Sequence, residues 1–339
     1  MHDVIIIGAG PAGLSAALVL GRCRRKVLVF DSNQPRNSTS AAMHGFITRD
    51  GMHPSEFRAV AREQIRSYPA VEFHDTEVTK VERGEGQFTA TAKDGRRFTA
   101  RMLLLATGIV DEIPQIEGFH QFWGKSVHLC PYCDGWEHQD EPIAVYGRGI
   151  DGVEFALEML GWTGELVLCT DGPADFPKDQ FARLEAAKIP LIETPIARLE
   201  GEGAQITGVR FRDDTVYSCH ALFFTAPQRQ RSNLARELGC KFSEDGTTLD
   251  CKECASTNVP GVFVAGNTSR GLQLVIMAAA DGTQAAFTIN QALLEADCPK
   301  TDAEVGACAV PSTQSADDGA GEREPHIPAC ARESKVTAP

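Results

Sequence analysis

The chain has 339 residues, 42% of them apolar and 23% charged, and a formal net charge of -13. That length exceeds one ordinary core and fits two domains plus extra segments in a water-soluble protein of average composition. No apolar run approaches the roughly 18 to 20 residues of a membrane span, and so acidic a chain lacks the clustered Lys and Arg that nucleic acid or an anionic membrane demands.

The chain passes from His2-Asp3 straight into an apolar stretch, without a basic segment or cleavage site, which predicts a cytoplasmic protein. Val4 to Ile7 is a short apolar run closed by Gly8, the pattern of a buried parallel strand. Gly8-Ala9-Gly10-Pro11-Ala12-Gly13 follows, then a helix-forming stretch from Leu14 to Gly21 and a second strand from Lys26 to Phe30 ending in Asp31. This is a dinucleotide fingerprint in its required setting. The first Gly allows the tight turn, the second lets backbone approach a pyrophosphate, and the third lets helix and strand pack closely. The helix start supplies amides and partial positive charge, and Asp31 a carboxylate for a ribose diol. A glycine-rich turn that serves packing alone is the alternative.

Further along, Met102 to Leu105 runs into Ala106-Thr107-Gly108, and Val262 to Ala265 runs into Gly266-Asn267. Similar motifs mark two-dinucleotide flavoproteins where the chain recrosses the FAD domain, so they favour FAD over NAD. The second usually has Asp where this chain has Asn267, whose amide can still hydrogen-bond.

His128-Leu129-Cys130-Pro131-Tyr132-Cys133-Asp134-Gly135-Trp136 carries the chemistry. A C-x-x-C pair at a helix start puts two sulfurs within disulfide reach and lowers the pKa of the first thiol. Asp134 is a candidate general acid/base for the leaving thiol, and His128 and His138 flank the pair. A zinc site and two inert buried cysteines are the competing readings, the first without the usual ligand spacing. No metal is expected.

The order of fingerprint, A-T-G, C-x-x-C-D-G, second fingerprint and closing G-N strand resembles low-molecular-weight thioredoxin reductases over roughly residues 3 to 297. The resemblance implies that Cys133 lies nearer the flavin, that Cys130 is the interchange thiol, and that Asp134 is the acid beside the second cysteine. Electrons would pass between FAD and the Cys130-Cys133 disulfide, then to a dithiol or disulfide substrate, either a thioredoxin-like protein or a small molecule. It also implies a homodimer and puts Val78 beside the adenine; Arg36 and Asn37 read as FAD contacts by their position after the second strand, and a helix start near Gln273 would polarise the flavin N1–C2 region. The stretch from Gln273 to Asn290 reads as the helix closing over the isoalloxazine ring.

The second fingerprint, Gly147-Arg148-Gly149-Ile150-Asp151-Gly152, lies between the strand-like runs 143–146 and 165–169. In thioredoxin reductases this unit binds NADPH through arginines after its second strand. Here that stretch is Leu168-Cys169-Thr170-Asp171-Gly172-Pro173, with no arginine and with an acid that would repel a 2′-phosphate. NAD(P)H, a second FAD and no ligand at all stay open. Phrases such as Asp31 to Asn37, Met43 to Phe46 with Asp50-Gly51, and Thr107 to Gly118 look similar to NADPH-independent relatives, which include dithiol oxidases of the gliotoxin and holomycin type and diflavin- or ferredoxin-linked disulfide reductases. Asp134, where those oxidases often have His, leaves a reductase-like mechanism open.

The expected fold class is therefore α/β, with two dinucleotide-binding, Rossmann-like domains, the second inserted into the first. Residues 1–112 and 245–297 form the FAD domain, 113–244 the inserted domain with the C-x-x-C, and 298–339 a disordered tail rich in Pro, Ser, Asp and Glu. Phe211 to Ala226 and Leu238 to Thr247 are expected to lead back to the FAD domain. Cys23, Cys169, Cys219 and Cys240 read as core; Cys251 and Cys254 read as a surface hairpin, with a relay disulfide as the sharper alternative. The function expected is an FAD-dependent disulfide oxidoreductase that does not depend on NADPH. Its alternatives are an NADPH-dependent thioredoxin reductase and, from another class, a non-catalytic flavin-bound thiol sensor.

Overall fold

The computed structural model describes residues 1–243, 255–269 and 272–298. The chain begins with β1 (His2–Ile7), α1 (Pro11–Arg22), β2 (Val27–Phe30), α2 (Pro54–Arg66) and β3 (Val71–His74). An antiparallel meander follows: β4 (Val78–Arg83), β5 (Phe88–Ala92) and β6 (Arg97–Leu105). Then come β7 (Ile109–Asp111), α3 (Phe119–Phe122), β8 (Val127–His128), α4 (Pro131–Asp134), β9 (Ile143–Tyr146), α5 (Gly149–Met159), β10 (Leu166–Cys169), α6 (Lys178–Ala186) and β11 (Leu191–Ile192). The described residues close with β12 (Ile196–Glu202), β13 (Gln205–Phe211), β14 (Val216–Ser218), β15 (Ala221–Phe224), β16 (Gln228–Gln230), α7 (Leu234–Glu237), β17 (Val262–Val264) and α8 (Val275–Asp297).

Two larger sheets organise most of these elements, beside a three-stranded sheet β12-β13-β14 and the pair β16-β7. The first runs β3-β2-β1-β6-β5-β4, with β17 joining β6 in parallel. The second runs β11-β10-β9-β15-β8, all parallel, and is built from chain inserted between β6 and β17. Apolar side chains run continuously along β1, β2, β9, β10 and β15 because helices or a second layer cover both faces of a parallel sheet. The helix α8 presents Gly282, Ala285, Ala286, Ile289 and Leu293 at helical spacing to the core that α1 shares.

Where the chain leaves the first sheet and where it returns, β7 and β16 pair antiparallel, Asp111 opposite Gln228. The return begins earlier in packing than residue 245: Leu234, Ala235 and Cys240 already sit in the core of the first sheet with Val78 and Val81. The segment from Phe211 to Ala226 does not lead back as the sequence suggested. Its strand β15 lies between β9 and β8 in the second sheet, and Phe211, Leu222 and Phe224 fill that sheet's core.

Cysteines 169, 219 and 240 are buried, whereas Cys23 is exposed, contrary to its reading as core. It is the C-cap of α1, followed by Arg24 with a positive φ. Cys251, Cys254 and the tail from residue 299 lie outside the described residues. Among the described residues no helix is long and apolar enough to cross a membrane.

Candidate active site

In the first sheet, β1, β6 and β17 run in parallel, so their carboxyl ends release three loops at one edge. These loops are the first fingerprint, Ala106-Thr107-Gly108, and Gly266-Asn267. Strand order reverses between β1 and β6, the place where open α/β sheets bind ligands. The amide of Gly108 donates to Thr268 Oγ1 at 2.9 Å and ties two of the loops together.

The third glycine of each fingerprint holds its helix against its strand. A Cβ on Gly13 would stand 1.8 Å from the carbonyl oxygen of Gly8, and one on Gly152 would stand 2.5 Å from the carbonyl carbon of Gly147. Pro11 occupies the first turn of α1, and its N-cap, Gly10, offers no side chain to satisfy the free amides. With no acid in that turn, the helix start suits a pyrophosphate, and the residues present fit a dinucleotide such as FAD.

A cavity of about 530 Å³ extends from these loops to the cysteine pair. Gly8, Gly10, Pro11, Ala12, Asp31, Arg36 and Asn37 line it, as do Ala106, Thr107, Gly108, Gly266, Asn267 and Gln273, and so do Cys130, Cys133 and Asp134. Two expected contacts are placed elsewhere. Gly13 is buried behind the loop, and Val78 is buried at the start of β4, away from the cavity wall.

The sequence reading missed what several of these residues bind. Asp31 is buried and accepts from Arg58 at 2.5 Å, from Arg62 at 2.9 Å and from the Asn33 amide at 3.2 Å. The signal was present, since Arg58 and Arg62 at i,i+4 share one face of α2. Arg36 grips Asp111 with two bonds of 2.6 Å and donates to Gln273 at 2.7 Å, while Gln228 donates to both Asp111 and Gln273. Gln273 itself precedes α8, which starts at Val275.

The thiols sit just after β8. Cys130 is the N-cap of the single-turn α4, Pro131 takes its first position, and the amides of Cys133 and Asp134 both donate to the Cys130 carbonyl at 3.1 Å. Both cysteines are free thiols and half-buried. They differ sharply in acidity. The S–H of Cys133 donates to Cys130 and, with the amides of Cys133 and Tyr132, lowers the Cys130 pKa against the opposing effect of burial. The same hydrogen bond, together with burial, drives the Cys133 pKa far up. A one-turn helix therefore acts here less through a macrodipole than through the partner thiol.

Asp134 lies on the cavity wall, and its charge raises the pKa of both thiols. Its Oδ1 stands 3.3 Å from Nδ1 of the buried His128. Around the pair the rim is aromatic: Tyr132 and Trp136 are exposed, and Tyr132 meets Trp162 edge-on at 5.3 Å. Among the described residues no group of three or more His, Cys, Asp or Glu is placed to hold a metal ion.

At the second fingerprint, α5 starts at Gly149, earlier than the helix-like run suggested. The stretch after β10 contains no arginine of its own, but Arg148 reaches it from the glycine loop. Its guanidinium donates to the Asp171 carbonyl at 2.7 Å and to the Asp171 carboxylate at 3.0 Å.

Two parallel-sheet dinucleotide units, with a dithiol on the wall of the first unit's cofactor groove, define a thioredoxin reductase-like disulfide oxidoreductase. The chain belongs to the pyridine nucleotide-disulphide oxidoreductase family, which matches residues 2–282. It is 43% identical over 301 residues to a protein of Arthroderma benhamiae named "Probable thioredoxin reductase", covering 79% of this chain and 74% of that one. It is 29% identical to thioredoxin reductase sirT of Leptosphaeria maculans, covering 88% of this chain and 96% of the relative. The solved structure of HlmI is 37% identical with a TM-score of 0.84, covering 91% of this chain and 96% of HlmI.

Proposed function

We propose that the chain passes electrons between FAD and the Cys130–Cys133 couple, and from there to an external dithiol or disulfide, without drawing on NADPH. The observation that carries this reading is the single cavity whose wall holds both the first fingerprint and the two thiols. When bound, the flavin supplies a two-electron acceptor or donor.

The protein's own residues do the rest. The α1 start and the glycine loop bind the pyrophosphate, and Arg36, held by Asp111 and Gln273, fixes the wall beside the ring. Toward a disulfide substrate, Cys130, the more acidic thiol, attacks one sulfur and expels the other, and Cys133, protonated until then, closes the Cys130–Cys133 disulfide and frees the second substrate thiol; toward a dithiol the same steps run in reverse, a substrate thiolate opening the Cys130–Cys133 disulfide at Cys130. Asp134 handles the proton. The substrate is a thioredoxin-like protein or a small dithiol, and the exposed Tyr132 and Trp136 form the surface it meets first. Residence in the cytoplasm and assembly as a homodimer belong to the same proposal.

NADPH independence is supported by Asp171, an acid at the place where a 2′-phosphate would lie, with Arg148 already engaged on it. A second reading, an NADPH-dependent thioredoxin reductase, is favoured by the same Arg148, which a 2′-phosphate could draw away. Stopped-flow mixing of the oxidised flavoprotein with NADPH, NADH and dithiothreitol in turn separates the two. Bleaching by dithiol with reoxidation in air is the expected result, and rapid bleaching by NADPH would sink it.

A further inference from the structure

The dithiol lies on a piece of helix too short to hold itself. α4 is a single turn, Pro131 to Asp134, and an isolated turn fixes several backbone dihedrals in return for very few hydrogen bonds. The bond from the Cys133 S–H to Cys130 depends on that turn, because a closed helical turn is what makes neighbours of side chains three positions apart.

The support comes from the far end of α5. Trp162 follows that helix, its amide donating to the Met159 carbonyl at 3.0 Å, and it packs on the core of the second sheet. It touches the redox segment on both sides of Cys133. On one side its ring meets that of Tyr132 edge-on, with centroids 5.3 Å apart and planes at 89°. On the other it lies against Gly135, where a Cβ would stand 2.9 Å from both Cδ1 and Nε1 of the indole. Glu158, in the last turn of α5, accepts a hydrogen bond from the Tyr132 hydroxyl. Backbone joins the segments once more, the Asp140 amide donating to the Trp162 carbonyl at 3.0 Å.

Neither contact residue is held by other means. Gly135 has an ordinary helical φ of -73°, so no left-handed turn calls for glycine; the indole and the Pro131 carbonyl oxygen, 2.5 Å from the same Cβ, leave no room for a side chain. Tyr132 is 65% exposed, so burial does not fix it, whereas an edge-to-face partner and a carboxylate do.

We propose that Trp162 is a positioning residue of the redox couple: through Tyr132 and Gly135 it holds the Cys130–Cys133 turn closed and keeps the two sulfurs in register. The proposal rests on the oxidoreductase reading. Trp162 stands behind the turn and not on the cavity wall, so it acts through its neighbours and takes no part in the exchange itself. The hydrogen bond from Cys133 does most to lower the Cys130 pKa, and a turn without its brace opens and loses that bond. Cys130 then becomes less acidic.

Iodoacetamide alkylation of Cys130 in the dithiothreitol-reduced holoprotein, followed across pH by mass spectrometry of the Cys130 peptide, tests this. Trp162→Ala should move the titration up by about one unit, a roughly tenfold slower reaction at neutral pH. Trp162→Phe, which keeps a ring for Tyr132, should recover most of the difference. Tyr132→Ala removes one of the contacts from an exposed position and so spares the fold; it should move the titration in the same direction. A Trp162 that serves packing alone would lower Tm and leave the titrations in place. A Trp162→Ala titration that overlays the unaltered one overturns the proposal, and where Trp162→Ala does not fold, a Tyr132→Ala titration that overlays it does so. Failure of the underlying enzyme reading looks different: dithiol then leaves the flavin unbleached, while the Cys130 titration still moves with Trp162.

Discussion

Arg148 and Asp171 close on each other at the end of β10. The guanidinium takes the Asp171 carbonyl and one carboxylate oxygen, and the other oxygen accepts from the Ile196 amide at 2.7 Å. Asp171 thereby holds a positive φ of 51° with each of its acceptors in use. On the reading proposed above, a 2′-phosphate at the second fingerprint would meet this arrangement. Asp171→Ala removes the like charge and frees Arg148 for a 2′-phosphate. NADPH binding, followed by titration calorimetry, should tighten roughly tenfold, which is about 1.4 kcal/mol. An unchanged Kd would mean that the pair does not govern nucleotide choice.

The hydrogen bond between the two thiols makes a prediction about reactivity. Cys133→Ala takes away the S–H donor that lowers the Cys130 pKa most. Alkylation of Cys130 at neutral pH should slow by roughly tenfold for each unit its pKa rises, and dithiol turnover should vanish. Iodoacetamide kinetics across pH measure the first effect directly. Retained turnover would defeat the two-thiol mechanism.

Gly13 tests the first fingerprint. A methyl group there meets the Gly8 carbonyl oxygen at 1.8 Å, and backbone must move to accept it. Gly13→Ala should cost about 3 kcal/mol and strip flavin from the purified protein, read from Tm and from the flavin-to-protein absorbance ratio. A variant that binds flavin at full occupancy would argue that the loop is not the pyrophosphate cradle.

Arg36→Met leaves the Asp111 carboxylate, with a side chain only 5% exposed, without its ion-pair partner. Loss of one partner from so shielded a pair should lower stability by about 3 kcal/mol. Adding Asp111→Leu should restore most of it, because two apolar groups leave no stranded charge. Urea unfolding of the single and double variants makes the comparison; equal stabilities would show that the pair is solvated.

His138 gives stability a pH dependence of known sign. Its folded pKa is lowered, chiefly by burial, so the unfolded chain binds its proton more readily. The His138 contribution is fully present above the unfolded value of about 6.5 and is lost as pH falls toward the folded value. His138→Gln should therefore flatten the decline in urea midpoint between neutral and mildly acid pH. Parallel declines in both proteins would count against this.

The first fingerprint, its flanking strands, the A-T-G and G-N loops and the cysteine pair were legible as sequence because each is a local pattern: an apolar run, glycines at fixed offsets, or two thiols three positions apart. The return path was not. Phe211 to Ala226 is as apolar as a strand of the first sheet, and only pairing of β15 with β9 and β8 assigns it to the second. The Asp31 cluster was half legible, since helical spacing aligned Arg58 with Arg62 but could not aim them at β2.

By itself, then, the sequence determined the α/β class and the family and singled out Cys130 and Cys133 as the candidate thiols, since these depend on short-range spacing and on residue chemistry. Tertiary structure decided how those thiols are tuned. It lined one cavity with fingerprint and cysteines, carried Arg148 across to Asp171, locked Arg36 onto Asp111 and set His128 against Asp134. Ionisation depends on charges and burial within a few ångströms, and a chain brings such neighbours together only when it folds.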